Sequence, residues 1–380
     1  MKKWLKAALF VLPLLVMVAA VNWYVDSYAY LRVTYDEIAG KMIRESRNVV
    51  GLEESNFNDR SLLAACLKMQ DGPREVVVLG SSRVLTFEHT MFGTDSFYNA
   101  GLSESTIYDL LAVTGILAQE DKLPETMIIG VDSFLFNAAH NNDRWLELEP
   151  YEIYMEELLG RESAADRKDI NAAEDGKDRR NAQDAGKTGG AAVRTGRDNT
   201  KWLSLDYFRY NVTCLPKNER FLVSYTGDHE GRTYIKHYDG SISYQEELRS
   251  VEEETVIAMT KQAMDEQVVY RMTDYRMIDA DSMELLAGLI DYLKGEGVEV
   301  ILYLPPYSPM LYDYIESTQH YRITLEVEEA VKTLAAEKGT ALYGSFDPAG
   351  SGLAMTDLYD VYHVKTEKTM DTFFPVLEAE

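Results

Sequence analysis

Residues 74–83 read REVVVLGSSR, and the fold turns on how those ten positions are understood. Val76, Val77, Val78 and Leu79 are apolar without interruption. A strand with one wet face would alternate, so this run predicts a strand buried on both faces, as in a parallel sheet. Gly80 ends it, and two hydroxyls, Ser81 and Ser82, follow ahead of Arg83. Working outward, the pattern recurs at residues 97–99 (FYN), 126–131 (TMIIGV), 298–304 (VEVILYL) and 340–343 (TALY). Amphipathic stretches separate these runs. Ser103 reads as the cap of a helix carrying Ile107, Leu110, Leu111, Thr114 and Leu117 on one face. Asp281 and Glu284 read as a capping box for a helix with Leu286, Leu289, Ile290 and Leu293 inward, ended by Gly295. Residues 324–338 form another such helix, closed by Gly339, and residues 366–377 a last one. Strands alternating with helices predict an α/β fold with a parallel sheet covered on both faces.

Composition narrows the function. The chain has 380 residues, with 38 Lys+Arg against 63 Asp+Glu, a formal charge of −25. This length suggests two domains, or one with insertions. So acidic a chain repels phosphate backbones, which argues against nucleic acid. With 46% hydrophobic residues there is ample material for a core. Two cysteines, Cys66 and Cys214, are too few for a disulfide scaffold or a thiolate zinc site, and they either pair or stay free. Four of the six histidines stand in stretches without a ligand pattern, which argues against a His-rich metal site, and no metal or cofactor is expected.

Residues 7–25 (AALFVLPLLVMVAAVNWYV) carry no charge over 19 positions. A helix of that length spans roughly 28 Å, close to the ~30 Å of a bilayer's hydrocarbon core. Lys2, Lys3 and Lys6 precede the run and Asp26, Asp36 and Glu37 follow it. The positive-inside rule therefore predicts a transmembrane anchor over residues 1–26, with the N-terminus cytoplasmic and the rest extracytoplasmic. The competing reading is a signal peptide cleaved after Val18-Ala19-Ala20; both readings export the remainder.

Residues 27–73 read as a stalk or connector. Residues 74–160 and 281–380 supply the α/β domain, which two segments interrupt. Residues 161–201 hold ten basic and eight acidic residues and no aromatic, and read as a disordered insertion. Residues 202–280 are Tyr-rich and include TYIKHYDGSISY, where Asp239-Gly240 between two alternating runs signals a hairpin in an inserted cap.

Three short motifs fall after predicted strands, at the sheet edge where open α/β folds bind ligands. Ser81 and Ser82 offer a hydroxyl beside an exposed backbone N–H. Asn99-Ala-Gly101 offers a second N–H unobstructed by a side chain. Asp360-Val-Tyr-His363 spaces a carboxylate to reach an imidazole Nδ1, fix its tautomer and stabilise its cation. Each alone is an ordinary turn. Together they supply nucleophile, base, orienting acid and oxyanion donors. Arg83 is a candidate for binding an anionic substrate group or for pairing with Asp132. Tyr307, Tyr312, Tyr359 and Tyr362 are candidates for stacking on sugar rings, with Tyr307 shaping the pocket beside Pro305-Pro306.

With those motifs in place, GSSR, NAG, GVDS and DVYH resemble the block I, II, III and V pattern of the SGNH (GDSL-like) hydrolases. The resemblance covers about residues 74–137 and 282–378. Behind a single N-terminal helix, the arrangement is similar to exported, membrane-anchored members related to the teichoic-acid D-alanylation and alginate O-acetylation proteins. It implies a three-layer, flavodoxin-like parallel sheet with Ser82 as nucleophile, Ser81 standing where the family has Asp, and His363 and Asp360 completing the triad. The oxyanion donors it implies are the N–H groups of Ser82 and Gly101, with Asn99 nearby. One position departs: block III carries Asp132 where the family has Asn, and an ionised carboxylate cannot donate to an oxyanion. Either Asp132 points elsewhere and Asn99 or Asn137 substitutes, or the site runs with two donors. The implied function is an extracytoplasmic serine acyl-ester enzyme, an O-acyltransferase or esterase acting on a cell-envelope polysaccharide. The alternative is a non-catalytic SGNH-like binding or scaffold protein in a complex that modifies such a polysaccharide. The implied partners are the bilayer, the polysaccharide and a membrane acyltransferase.

Overall fold

The computed structural model describes residues 3–52, 57–139, 144–160, 195–217, 221–267, 269–272 and 274–378, and residues 3–10 by their backbone. The chain divides into two compact units. One comprises Met1–Gln70 and Val193–Tyr238, the other Asp71–Ala192 and Asp239–Glu380.

The second unit is a mixed α/β structure on a mostly parallel sheet. Its strands are β1 (Val76–Leu79), β2 (Phe97–Asn99), β3 (Thr126–Gly130), β4 (Glu299–Leu304), β5 (Ala341–Gly344) and β6 (Pro375–Leu377), in the spatial order β2-β1-β3-β4-β5-β6. The first five are parallel, with Val78 opposite Asn99, Leu79 opposite Ile129, Gly130 opposite Tyr303 and Leu304 opposite Gly344. Their C-terminal ends therefore share one edge. The unbroken apolar run of β1 has the predicted cause: Val77, Val78 and Leu79 are all buried. Val78 faces an aromatic-rich cluster with Phe87, Phe97, Ile128 and Tyr303, joined by Phe92 and Phe373. On β4 and β5 pack the long helices Ala280–Gly295 and Ile323–Lys338.

Several boundaries differ from the expected ones. The helix after β2 begins at Ile107 rather than after Ser103, because Thr106 and Asp109 form a reciprocal capping box. The next long helix is capped by Asp279, which accepts from the Ser282 N–H at 2.9 Å. The final helix over 366–377 is absent. Thr366–Thr372 is a 3₁₀ segment, and Pro375–Leu377 turns back antiparallel to β5. Pro375 removes a helical N–H donor, while Phe373 is drawn onto Tyr343, with ring centroids 4.5 Å apart. The sheet is thus mixed at that edge rather than wholly parallel.

The first unit has a core of its own, so residues 27–70 are more than a connector. Thr34 and Glu37 form a capping box for the helix Tyr35–Glu45, which packs against Asp59–Met69 through the buried Ile38, Ala39 and Met42. Asn48–Val50 is the central strand of an antiparallel group, between Ser224–Thr226 and Ile235–Lys236. Cys66 and Cys214 are both buried and are not joined in a disulfide.

Residues 202–280 do not form a single cap. The unit boundary falls at Tyr238/Asp239, beside Gly240 with its φ of +83°; Ile235–Lys236 and Ile242–Ser243 are extended on either side. Residues 161–194 of the expected disordered insertion lie outside the described residues. Residues 195–201 do have a defined place: the Asp36 N–H donates to the Thr195 carbonyl, and the Asp198 N–H to that of Tyr30. The N-terminal helix runs Lys3–Val25. Among the described residues, no helix is long and apolar enough to cross a membrane.

Candidate active site

The site is built on a valine between three glycines. Gly80, Gly101 and Gly130 each follow or end a neighbouring strand, one from each motif. A Cβ on any of them would meet Val84: Cγ1 at 3.0 Å from Gly80, Cγ2 at 2.9 Å from Gly101, and Cγ1 at 2.5 Å from Gly130. Val84 is fully buried there and closes the 3₁₀ turn Ser82–Val84. The glycines thus let β1, β2 and β3 converge under that turn, at the point where the strand order reverses between β1 and β3. Such switch points are where open α/β sheets bind ligands.

Ser81 and Ser82 take different roles. The Ser81 Oγ accepts from the Arg83 N–H at 3.2 Å and caps the turn. The Ser82 Oγ instead lies 2.8 Å from His363 Nε2, across 281 positions of sequence. His363 Nδ1 is 2.8 Å from Asp360 Oδ2 and 3.0 Å from Oδ1. A carboxylate only accepts, so Nδ1 carries the proton and Nε2 presents its lone pair to the serine hydroxyl. Asp360 also accepts from the backbone N–H groups of Tyr362 and His363. Burial favours its neutral acid, but the neighbouring His363 and these hydrogen bonds outweigh that and hold the carboxyl below the usual carboxylate range. The Tyr359 N–H donates to the His363 carbonyl, closing the loop that presents both groups.

The expected oxyanion donors are placed differently. The Gly101 N–H donates to Asn99 Oδ1 at 3.0 Å. Asn99 is fully buried, and its amide donates to the carbonyls of Val84 and Phe87. It therefore ties the NAG turn to the serine turn and has no N–H left for a substrate. Asn137 is also engaged, donating to the Arg271 carbonyl and accepting from the Ala139 N–H. The Ser82 N–H, first in its turn, is the donor without a partner among the described residues.

Arg83 and Asp132 are not at a substrate surface. Their buried pair closes at 2.8 Å, and Arg83 also donates to the carbonyls of Pro305 and Pro306. The guanidinium lies 4.5 Å from the Tyr307 ring centroid, and the Tyr307 hydroxyl is 2.7 Å from Ser133 Oγ. Arg83, Asp132 and Tyr307 form a structural post beneath the site, in which the guanidinium is paired with the buried carboxylate and two carbonyls rather than offered to a substrate. Tyr359 is buried; Tyr362 stands half-buried with its hydroxyl accepting from the Tyr270 N–H. Tyr312 is half-buried on its own helix, Pro309–Ser317.

Two features escaped the sequence reading. The Tyr244 ring lies 5.8 Å from that of His363 and 4.9 Å from that of Tyr359, so it backs the imidazole. Asp239-Gly240, read as a hairpin tip, buttresses the motifs. The Asp239 carbonyl accepts from the Asn99 N–H at 2.7 Å, and its carboxylate binds His89 Nδ1 at 2.9 Å. A Cβ on Gly240 would stand 2.1 Å from the Asn99 carbonyl oxygen. An Asp-Gly pair signals a turn but not what it docks against. Among the described residues no group of three or more His, Cys, Asp or Glu is arranged to hold a metal.

No family model matches the sequence, and no curated protein matches it. Fold and site define the class: an α/β protein with a mostly parallel sheet, carrying a hydrogen-bonded Ser–His–Asp chain at the C-terminal edge of its strands.

Proposed function

We propose that this protein is an extracytoplasmic serine acyl-ester enzyme of SGNH type, an O-acyltransferase or esterase acting on a cell-envelope polysaccharide. The observation that carries the reading is the chain from Ser82 Oγ through His363 to Asp360, two contacts of 2.8 Å. Ser82 attacks the acyl carbonyl while His363 Nε2 takes its proton, and Asp360 steadies the resulting imidazolium. The Ser82 N–H faces the developing oxyanion. The protonated His363 then gives its proton to the departing alkoxide, leaving the acyl group on Ser82. A sugar hydroxyl or water, deprotonated by His363, releases it. The strand order 2-1-3-4-5 supports a flavodoxin-like, SGNH-type assignment. The uncharged run over residues 7–25, behind Lys2, Lys3 and Lys6, supports a membrane anchor with the following chain outside.

The test is labelling with a serine-reactive fluorophosphonate. Modification at Ser82, lost in a folded Ser82→Ala variant, is the expected result; equal labelling of that variant overturns the reading. The commitment of the Gly101 N–H to Asn99 favours a second reading, a non-catalytic SGNH-like partner of a membrane acyltransferase. Absence of labelling between pH 6 and 9 would select it.

A further inference from the structure

The helix Leu205–Cys214 buries one stripe that includes polar side chains. Its buried residues are Tyr207, Asn211 and Cys214, and they meet the C-terminal end of the N-terminal helix. Asn211 Nδ2 donates to Asn22 Oδ1, and the Ser27 hydroxyl to Asn211 Oδ1; the Tyr207 hydroxyl donates to Asp26. Asn22 in turn donates to the carbonyls of Lys201, Trp202 and Ser204. Asn22, Asp26 and Asn211 are all completely buried. This network fixes the segment 201–214 to the N-terminal helix near its exit, since buried polar groups so paired are costly to separate.

A second stripe of the same helix is apolar and faces outward, flanked by the exposed Asp206 and Arg209. Leu205, Phe208, Val212 and Leu215 recur at helical spacing along one stripe, continued upstream by Trp202 and Leu203. Leu203 and Leu205 are 52% and 58% exposed, and Val212 and Leu215 about as open as Trp202. Amphipathic helices of water-soluble surfaces do the reverse, so the outward stripe calls for an apolar partner. The partner follows from continuity. Asn22 is three residues before the end of the uncharged run, or about 4.5 Å along the helix axis. Val11, Leu12, Leu14 and Val16 of that helix are likewise exposed, as are Trp23 and Tyr24 at its exit.

We infer that residues 202–215 form an interfacial collar, seated in the headgroup and upper acyl region of the same bilayer that the N-terminal helix enters. This rests on the anchor reading above. The anchor and collar then act as one rigid foot rather than a span on a flexible tether, because Asn22 and Asp26 hold them together. A shallow position suits the stripe, since interfacial helices bury their apolar face by ~5–10 Å.

The experiment uses the full chain in liposomes containing lipids brominated either near the carbonyl end or near the methyl end of the acyl chain. Difference emission between wild type and Trp202→Phe isolates Trp202, and between wild type and Trp23→Phe isolates Trp23. The collar predicts that Trp202 is quenched more strongly by the carbonyl-end bromines. It also predicts that Leu205→Lys with Val212→Lys abolishes this quenching while that of Trp23 persists. Quenching of Trp23 without that of Trp202 overturns the collar and leaves the anchor. Absence of both overturns the anchor reading and the collar with it.

Discussion

Gly130→Ala is the sharpest probe of how the serine is held. The new methyl would stand 2.5 Å from Val84 Cγ1, against the 3.4 Å at which ordinary contact begins, a deficit of about 0.9 Å. Val84 cannot swing aside. It is β-branched and stiff at χ1, and it is fully buried in the cluster with Val78, Phe87 and Ile128, where close packing leaves little room. The turn Ser82–Val84 must therefore move. Overpacking of this kind costs about 1–3 kcal/mol. A displacement near 1 Å stretches the 2.8 Å contact between Ser82 and His363, and such misplacement slows chemistry by about 10²-fold. Val84→Ala relieves the clash. Alone it removes two buried methyl groups, at about 2 kcal/mol. Combined with Gly130→Ala, the new methyl occupies part of the vacated space, so the two costs couple by about 1 kcal/mol or more in the favourable direction. The assay is a four-member cycle of urea unfolding and fluorophosphonate labelling rates. Gly130→Ala should be less stable and label slowly, with the double variant recovering both relative to it. Strict additivity, or wild-type stability and labelling in Gly130→Ala, would refute the account of Val84 as the spacer.

Asp360→Asn should leave the fold intact and lower the Ser82 labelling rate by up to about 10⁴-fold, the loss typical when a triad imidazole loses its orienting carboxylate. Because the Asp360 carboxyl is held below the ordinary range, its contribution to stability is present above about pH 3.8 and is lost only as pH falls through its lower folded value; acid unfolding of wild type and Asp360→Asn, followed by circular dichroism, checks this. The His89–Asp239 pair gives a different profile. The hydrogen bond that His89 donates to Asp239 raises the imidazole above 6.5, and burial of Asp239 is outweighed by the hydrogen bonds it accepts from His89 and Ser241, which bring it to about 2. The advantage of wild type over His89→Gln in urea should thus be full near pH 5, shrink as pH rises through the folded value of His89, and shrink again as pH falls from 3.8 towards 2. Arg83→Met should destabilise by about 3–5 kcal/mol, since it strands the buried Asp132 carboxylate, and adding Asp132→Leu should restore most of that loss; thermal unfolding of both variants reads this out.

Much of the fold was legible because its cause is local. An uninterrupted apolar run such as residues 76–79 can only be satisfied with both faces covered, and the helices over 280–295 and 323–338 announce themselves by period and closing glycine. The tail was not legible. Thr366–Thr372 has helical character, but Phe373 is captured by Tyr343 and the chain turns back at Pro375 as an edge strand, a choice made by partners distant in sequence. The site divides in the same way. The residue types and their order, Ser82, Asp360 and His363, could be read from short motifs, Ser82 directly after its strand and Asp360 and His363 in the loop region that follows the fifth strand. What Asn99, Gly101, Arg83 and Asp132 do could not. An N–H and a carboxylate are available or committed depending on which atoms lie within 3 Å, and those come from other strands. By itself the sequence determined the five parallel strands, the helices over 107–119, 280–295 and 323–338, the uncharged N-terminal run and the chemical vocabulary of the site. Tertiary structure alone decided that Ser81 caps while Ser82 faces the imidazole, that Asn99 consumes the Gly101 donor, and that Asp239-Gly240 braces β2. Hydrogen-bond partnership is a property of positions in space, and residues 281 apart share no local signal of it.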